Sequence, residues 1–151
     1  METALKKNTV HILEIALTLT ALLFTIGCSK HKVTLTLQQT TTQQLEVASP
    51  WKIQSVSNDG VDQTAQFTGM TLKFTDANYT TTNGEPLWAT SGSWSFDDAT
   101  AKTFKRNDDI DVEITAISAT GLTLSLQWNE DTYTDGRINS TKGKYVFVFV
   151  K

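Results

Sequence analysis

From Pro50 onward the chain alternates apolar and polar positions in short runs, broken by turn residues every 8–12 residues or so, the pattern of strands rather than helices. Trp51 to Ser57 reads as a first strand, ended by Asn58-Asp59-Gly60. Val61 to Thr68 reads as a connection with one short helical turn. Met70, Leu72 and Phe74 alternate with Thr71, Lys73 and Thr75, a half-buried strand, and Asp76-Ala77-Asn78 turns it into Tyr79 to Thr82. Asn83-Gly84-Glu85-Pro86 marks a loop, with Leu87 and Trp88 on its far side. Trp94 and Phe96 alternate with Ser93, Ser95 and Asp97. Asp97-Asp98-Ala99 is a turn, Lys102 to Lys105 a short strand at most, and Arg106-Asn107-Asp108 the next turn.

Ile110, Val112 and Ile114 then share one face, opposite Asp109, Asp111 and Glu113. Leu122, Leu124, Leu126 and Trp128 alternate with Thr123, Ser125 and Gln127, the cleanest amphipathic strand in the chain. Asn129 to Lys142, with Asp135-Gly136 inside it, reads as a long polar loop. In Lys144 to Val150 both faces are apolar: Tyr145, Phe147 and Phe149 on one, Val146, Val148 and Val150 on the other. Such a strand needs cover on both sides. About eight strands, each joined to the next by a short connection, predict an all-β antiparallel meander. Closing it into a barrel would remove the edges that a run such as Tyr145 to Val150 makes hazardous. An open sandwich is the alternative.

The N-terminal pattern is different. Lys6 and Lys7 precede an apolar run, Ile15 to Ile26, of about a dozen residues, the size of a signal-peptide core and short of the roughly 20 needed to span a bilayer. Gly27 supplies a small residue before Cys28, the only cysteine. This predicts a lipoprotein signal over 1–27, cut before Cys28, whose thiol then carries lipid and anchors the protein to a membrane. With that cysteine consumed, no disulfide can form within the exported chain. Thr25 stands where such sites usually carry Leu, Val or Ile.

Cys28 to Ser49 opens on Ser29-Lys30-His31-Lys32 and continues as a Thr/Gln-rich stretch with few large apolar residues, read as a flexible tether. Val33, Leu35 and Leu37 alternate, which leaves a short strand as the alternative there. The domain itself is then 50–151. The net charge of −3 survives signal removal, because Glu2 and Glu14 cancel Lys6 and Lys7. That balance shows no electrostatic footprint for nucleic acid.

Catalytic chemistry finds few parts. Beyond the signal the only histidine is His31, so Cys/His and His-ligated zinc arrangements are incomplete, and neither an enzyme nor a cofactor or metal is expected. Asp97, Asp98, Asp108, Asp109, Asp111 and Glu113 include carboxylates that could pair for glycoside hydrolysis or ligate calcium. Turn acids and the solvent face of one strand are the plainer reading. The aromatics are the better lead. Trp94, Phe96, Trp128, Tyr145, Phe147 and Phe149 converge either in a filled core or around a pocket at one mouth. Trp88, in a loop, either caps the barrel or forms an exposed contact.

Trp51 to Gly60, Leu72-Lys73-Phe74-Thr75 with Tyr79-Thr80, Ser91 to Phe96 and the closing Gly143 to Phe149 together resemble the small lipocalin-like lipoproteins of the Bacteroidetes. The resemblance implies an anchored, meandering β-barrel at the cell envelope and carries over no substrate. Ser49-Pro50-Trp51 stands where lipocalins open with Gly-x-Trp. Some lipoproteins of the Bacteroidetes reach the cell surface with an acidic cluster just after the cysteine. Lys30, His31 and Lys32 here point instead to an outer-membrane anchor on the periplasmic side. The expected function is non-catalytic binding of a small apolar or amphipathic ligand through Trp88, Trp94, Phe96, Trp128 and Tyr145. The alternative is an accessory or interaction subunit of an envelope protein complex, its barrel filled by side chains.

Overall fold

A computed structural model describes residues 34–134, 137–140 and 142–151. The expected signal over 1–27, Cys28 and the basic start of the tether lie outside the described residues, as does Asp135-Gly136.

The alternating runs become strands β1 (Trp51–Asn58), β2 (Val61–Asp62), β3 (Thr71–Thr75), β4 (Asn78–Thr82), β5 (Ser91–Phe96), β6 (Thr103–Arg106), β7 (Asp111–Ile117), β8 (Gly121–Trp128), β9 (Thr132–Thr134), β10 (Arg137–Ser140) and β11 (Gly143–Val150). Neighbours pair antiparallel in the order β11-β8-β7-β6-β5-β4-β3-β1, and β1 pairs again with β11 from Lys52↔Val150 to Asn58↔Tyr145. The sheet is therefore a closed eight-stranded meander barrel, and the open-sandwich alternative falls. Two pieces interrupt the meander. β2 pairs only with the end of β1, and β9 and β10 form a hairpin of their own within the expected polar loop.

Inward positions follow the alternation, except where a bulge resets it. In β1 the register shifts between Ile53 and Ser55, so burial passes from Trp51 to Val56 and Asn58, an odd rather than an even number of positions on. β7 shifts likewise between Ile114 and Ala116. The interior holds Trp51, Val56, Leu72, Phe74, Tyr79, Trp94, Phe104, Val112, Leu122, Leu124, Leu126, Tyr145, Phe147 and Phe149. On the outside of β11, Val146 and Val148 are half-buried.

Three expectations are corrected. First, the tether does not extend to Ser49: Leu37–Val47 is a helix, α1, and Leu35–Lys151 forms one unit. Periodicity hides α1, because its only buried residue is Leu45. It is specified by a reciprocal cap, in which the Gln39 amide donates to Thr36 Oγ1 (3.1 Å) and the Thr36 amide to Gln39 Oε1 (2.9 Å). Polar groups then dock it. Trp51 Nε1 donates to Leu45 O (2.9 Å), Gln38 Nε2 to Asp98 O (2.9 Å), and the Asp76 amide to the Glu46 carboxylate. Second, Arg106 is not a turn residue but the inward-facing end of β6, two places after Phe104. Third, the loop Asn129 to Lys142 contains the β9–β10 hairpin rather than only irregular chain.

Candidate functional site

The antiparallel order sorts the connections between the two ends of the barrel. One end carries α1, the β3–β4, β5–β6 and β7–β8 turns and Lys151; the far end carries the β1–β2 turn, the loop 83–90, the β6–β7 turn and the route to β11.

At the far end, loop 83–90 folds into the barrel rather than away from it. Its base is held where Thr81 Oγ1 donates to Ala89 O (2.8 Å) and the Thr81 amide to Thr90 O (2.9 Å). The Trp88 amide donates back to Gly84 O (2.9 Å), a turn so tight that a Cβ on Gly84 would lie 2.8 Å from the Trp88 Cβ. Leu87 and Trp88 are thereby driven fully out of solvent, both at 0% exposure. Of the two readings open for Trp88, the cap holds. Its indole meets Tyr79 and Phe147 edge-on, with ring centroids 5.5 and 6.0 Å away.

A buried cation secures this plug. The Arg106 guanidinium lies 4.6 Å from the Trp88 ring centroid and 5.8 Å from that of Tyr79. Its Nη1 donates to Leu87 O (2.7 Å), its Nε to Asp108 Oδ1 (3.1 Å), and its Nη2 pairs with Asp108 Oδ2. The side chain of Arg106 is 1% exposed and that of Asp108 39%, so the ion pair runs from core to surface. Sequence reading missed this constellation. The available signal was the i, i+2 spacing of Phe104 and Arg106, which puts a cation on an inward position.

Of the other predicted residues, Trp94 and Phe96 fall in one ring cluster, Tyr145 in another and Trp128 in neither. Trp94, buried, touches Phe74, Phe96 and Phe104 at centroid distances of 5.6, 5.0 and 5.3 Å. Phe96 is partly buried against the core. Tyr145 is buried with Phe67 and Phe147, at 6.5 and 6.1 Å. Trp128 is partly buried at the far end of β8, its Nε1 without a partner. The five aromatics thus do not share one open wall. Trp88, Trp94 and Tyr145 are packing contacts of the interior itself.

Open space lies at the rim instead. A depression of about 630 Å³ sits outside the plug, between the 3-10 turn Thr64–Phe67 and the end of β4, lined by Ala65, Gln66, Thr68, Thr81, Thr82, Asn83, Gly84, Glu85 and Thr90. Asn83 Nδ2 donates to Thr68 O (3.1 Å) and joins its two sides. Its side chains are mostly threonine hydroxyls and amides, with one carboxylate, Glu85, and one methyl, Ala65. Such a surface offers hydrogen-bonding groups on an open rim.

Of the candidate carboxylates, Asp108 joins the plug through Arg106. Lys105 pairs with Asp111 at 2.7 Å on the outer face of β6 and β7, and that carboxylate raises the Lys105 pKa. Hydrogen bonds from Thr100 hold the Asp98 carboxyl below its usual value. Among the described residues, no three His, Cys, Asp or Glu side chains group as metal ligands. No protein-family model matches this chain, and no curated protein sequence matches it. The resemblance drawn above rests on the residues quoted for it.

Tyr79 and Trp88 leave one feature that hydrogen bonding does not explain. Tyr79 Oη and Trp88 Nε1 are buried without a partner. Burial raises the Tyr79 pKa above its usual 10.0, with Arg106 opposing and Asp108 adding to the rise. A raised folded-state pKa gives stability that is complete below about pH 10 and lost as pH climbs through the folded value. Tyr79→Phe removes both the unpaired hydroxyl and that loss. The variant is expected to be equal to or up to about 1 kcal/mol more stable than the parent at pH 7, because a buried polar atom without a partner is itself costly. Its advantage should widen above pH 10 or so. Urea titrations at pH 7 and pH 11 or so check this; an advantage that shrinks with pH would refute it.

Proposed function

We propose that this chain is a lipid-anchored, non-catalytic envelope protein whose barrel is an interaction module, with the far-end rim as its contact surface. The observation that carries the reading is the filled interior. Trp51, Phe74, Trp94, Phe104, Phe147 and Phe149 pack the barrel, and Leu87 and Trp88 close the far mouth beside the buried Arg106 guanidinium. A barrel whose inward positions carry these large side chains, at the close packing usual in protein interiors, favours a filled core over a carrier for a small apolar ligand. The rim depression, polar and open, presents groups suited to a protein surface. Cys28 supplies the anchor, and Lys30 and Lys32 favour the periplasmic side of the outer membrane.

Photo-crosslinkers at Thr82 and Glu85, compared with one at Lys73 on the barrel wall, test the reading in intact envelopes of the native host. A discrete adduct from the two rim positions and none from Lys73 is the expected result. Native mass spectrometry of the same protein supplies the opposing outcome. A reproducible small-molecule mass that leaves on denaturation, with no rim adduct, would replace the interaction module by a ligand carrier.

A further inference from the structure

We infer that the α1 end of the barrel is a membrane seat, which presses an uncharged stripe of α1 onto the headgroup layer and so points the polar rim away from the bilayer. The inference rests on the lipid anchor at Cys28 proposed above, and adds which face of the domain the membrane meets.

The first observation is where apolar surface remains. Among the described residues the exposed large hydrophobics are Leu35, Leu37, Val47, Val61 and Val150. All but Val61 lie at the α1 end. Leu37 is 64% exposed and Val47 77%, far more than the packing of α1 requires. The second is their arrangement. Leu37, Thr40, Gln44 and Val47 fall at i, i+3, i+7 and i+10 on one side of α1, turned away from the side that buries Leu45. None of them is charged. The only charged residue in α1, Glu46, accepts from the Asp76 amide. The stripe can therefore leave water without stripping an ion. It borders a shallow groove of about 290 Å³ closed on its other side by Ser118, Ala119 and Lys151.

The third observation is reach. Six residues, 29–34, separate Cys28 from Leu35. The seven steps between them span at most about 25 Å, close to the length of an eight-residue strand such as β1. Because Leu37–Val47 is helical, α1 takes up residues that a tether reaching Ser49 would have left slack. An anchor this close holds the α1 end at high local concentration against the bilayer, so the two apolar side chains of the uncharged stripe, Leu37 and Val47, are enough to settle it there. Asp76, Asp97 and Asp98 share this end with Lys52, Lys102 and Lys151, so its charges are mixed and the contact is apolar and headgroup-deep rather than a basic patch on anionic lipid. No helix among the described residues is long and apolar enough to cross the membrane, and a surface seat needs none.

The test uses the full lipidated chain, reconstituted into vesicles of phosphatidylethanolamine and phosphatidylglycerol. Single cysteines at Leu37→Cys, Val47→Cys and, at the far end, Val61→Cys carry an environment-sensitive fluorophore; Cys28 is blocked by its lipid. Collisional quenching by iodide is expected to be several-fold weaker at 37 and 47 than at 61, with blue-shifted emission, and equal at all three positions in the unanchored Leu35–Lys151 unit. Equal quenching on vesicles would overturn the seat. So would protection at 37 and 47 that is already present without vesicles, since a second copy would then cover the stripe. Flotation of the parent and of Cys28→Ser separates the two readings. If the parent floats and Cys28→Ser does not, the anchor stands and the quenching pattern alone decides the seat. If both float or neither does, the anchor fails and the seat fails with it.

Discussion

Trp88→Ala is expected to destabilise the domain by about 3–5 kcal/mol, the range for deleting a large buried aromatic whose surroundings cannot collapse. Collapse is hard here for a specific reason. The vacated space is walled by Tyr79 and Phe147, which are fixed in the barrel strands β4 and β11, and by Arg106, which is fixed by Asp108 and Leu87 O. Only loop 83–90 could move in, and its base is tied to Thr81 by two hydrogen bonds. Trp88→Phe keeps part of the volume and should lose clearly less. Chemical denaturation of the Leu35–Lys151 unit measures both. A second readout separates a plug from mere packing: indole added to Trp88→Ala should restore part of the lost stability by refilling the space. A loss below about 1 kcal/mol would show that the loop is not held in the barrel and that the far mouth opens readily. That outcome would also return weight to a ligand inside the barrel.

The second large effect is asymmetric within one ion pair. Asp108→Ala should cost about 3 kcal/mol, and Arg106→Met about half as much, although Asp108 is the more exposed partner. Removing Asp108 leaves a guanidinium with a 1% exposed side chain and no counter-ion, and its remaining support is Leu87 O and the faces of Trp88 and Tyr79. Removing Arg106 leaves a carboxylate 39% exposed, which water can re-solvate, plus an unpaired Leu87 carbonyl. Methionine also keeps most of the apolar stem in place. Denaturation of the two single variants checks the order. The reverse order would mean that Arg106 acts mainly through its contacts with Trp88 and Leu87, and that Asp108 is incidental.

Both effects centre on residues that a linear reading sees imperfectly, and the reason is geometric. Trp88 was legible as unusual, a large aromatic beside Gly84-Glu85-Pro86, but whether it points into the barrel or outward depends on the Gly84–Trp88 turn and on a partner cation 18 positions later. Arg106 was read as a turn residue because polarity and Asn107-Asp108 both suggest one; its inward direction comes from pairing with Trp94 across β5. The stretch Thr36 to Ser49 has a helical cap but no apolar periodicity. Its helix is held by Trp51, Asp76 and Asp98, contacts supplied by β1 and by two turns distant in sequence.

The eight barrel strands, most of the inward positions and the meander order are legible in the sequence, whereas β2 and the β9–β10 hairpin are not. Period-two alternation and turn residues are local properties, written into neighbouring positions and hence visible without a partner. The tertiary structure alone decided closure, the filling of the interior and the polarity of the two ends. Each depends on residues far apart in the chain meeting: Lys52 with Val150, Trp88 with Arg106, α1 with the β3–β4 and β5–β6 turns. The bulges at Ile53/Ser55 and Ile114/Ala116 show the same division within single strands. Alternation marks the two faces, but the partner strand sets where the faces exchange, because a bulge exists only relative to the ladder beside it.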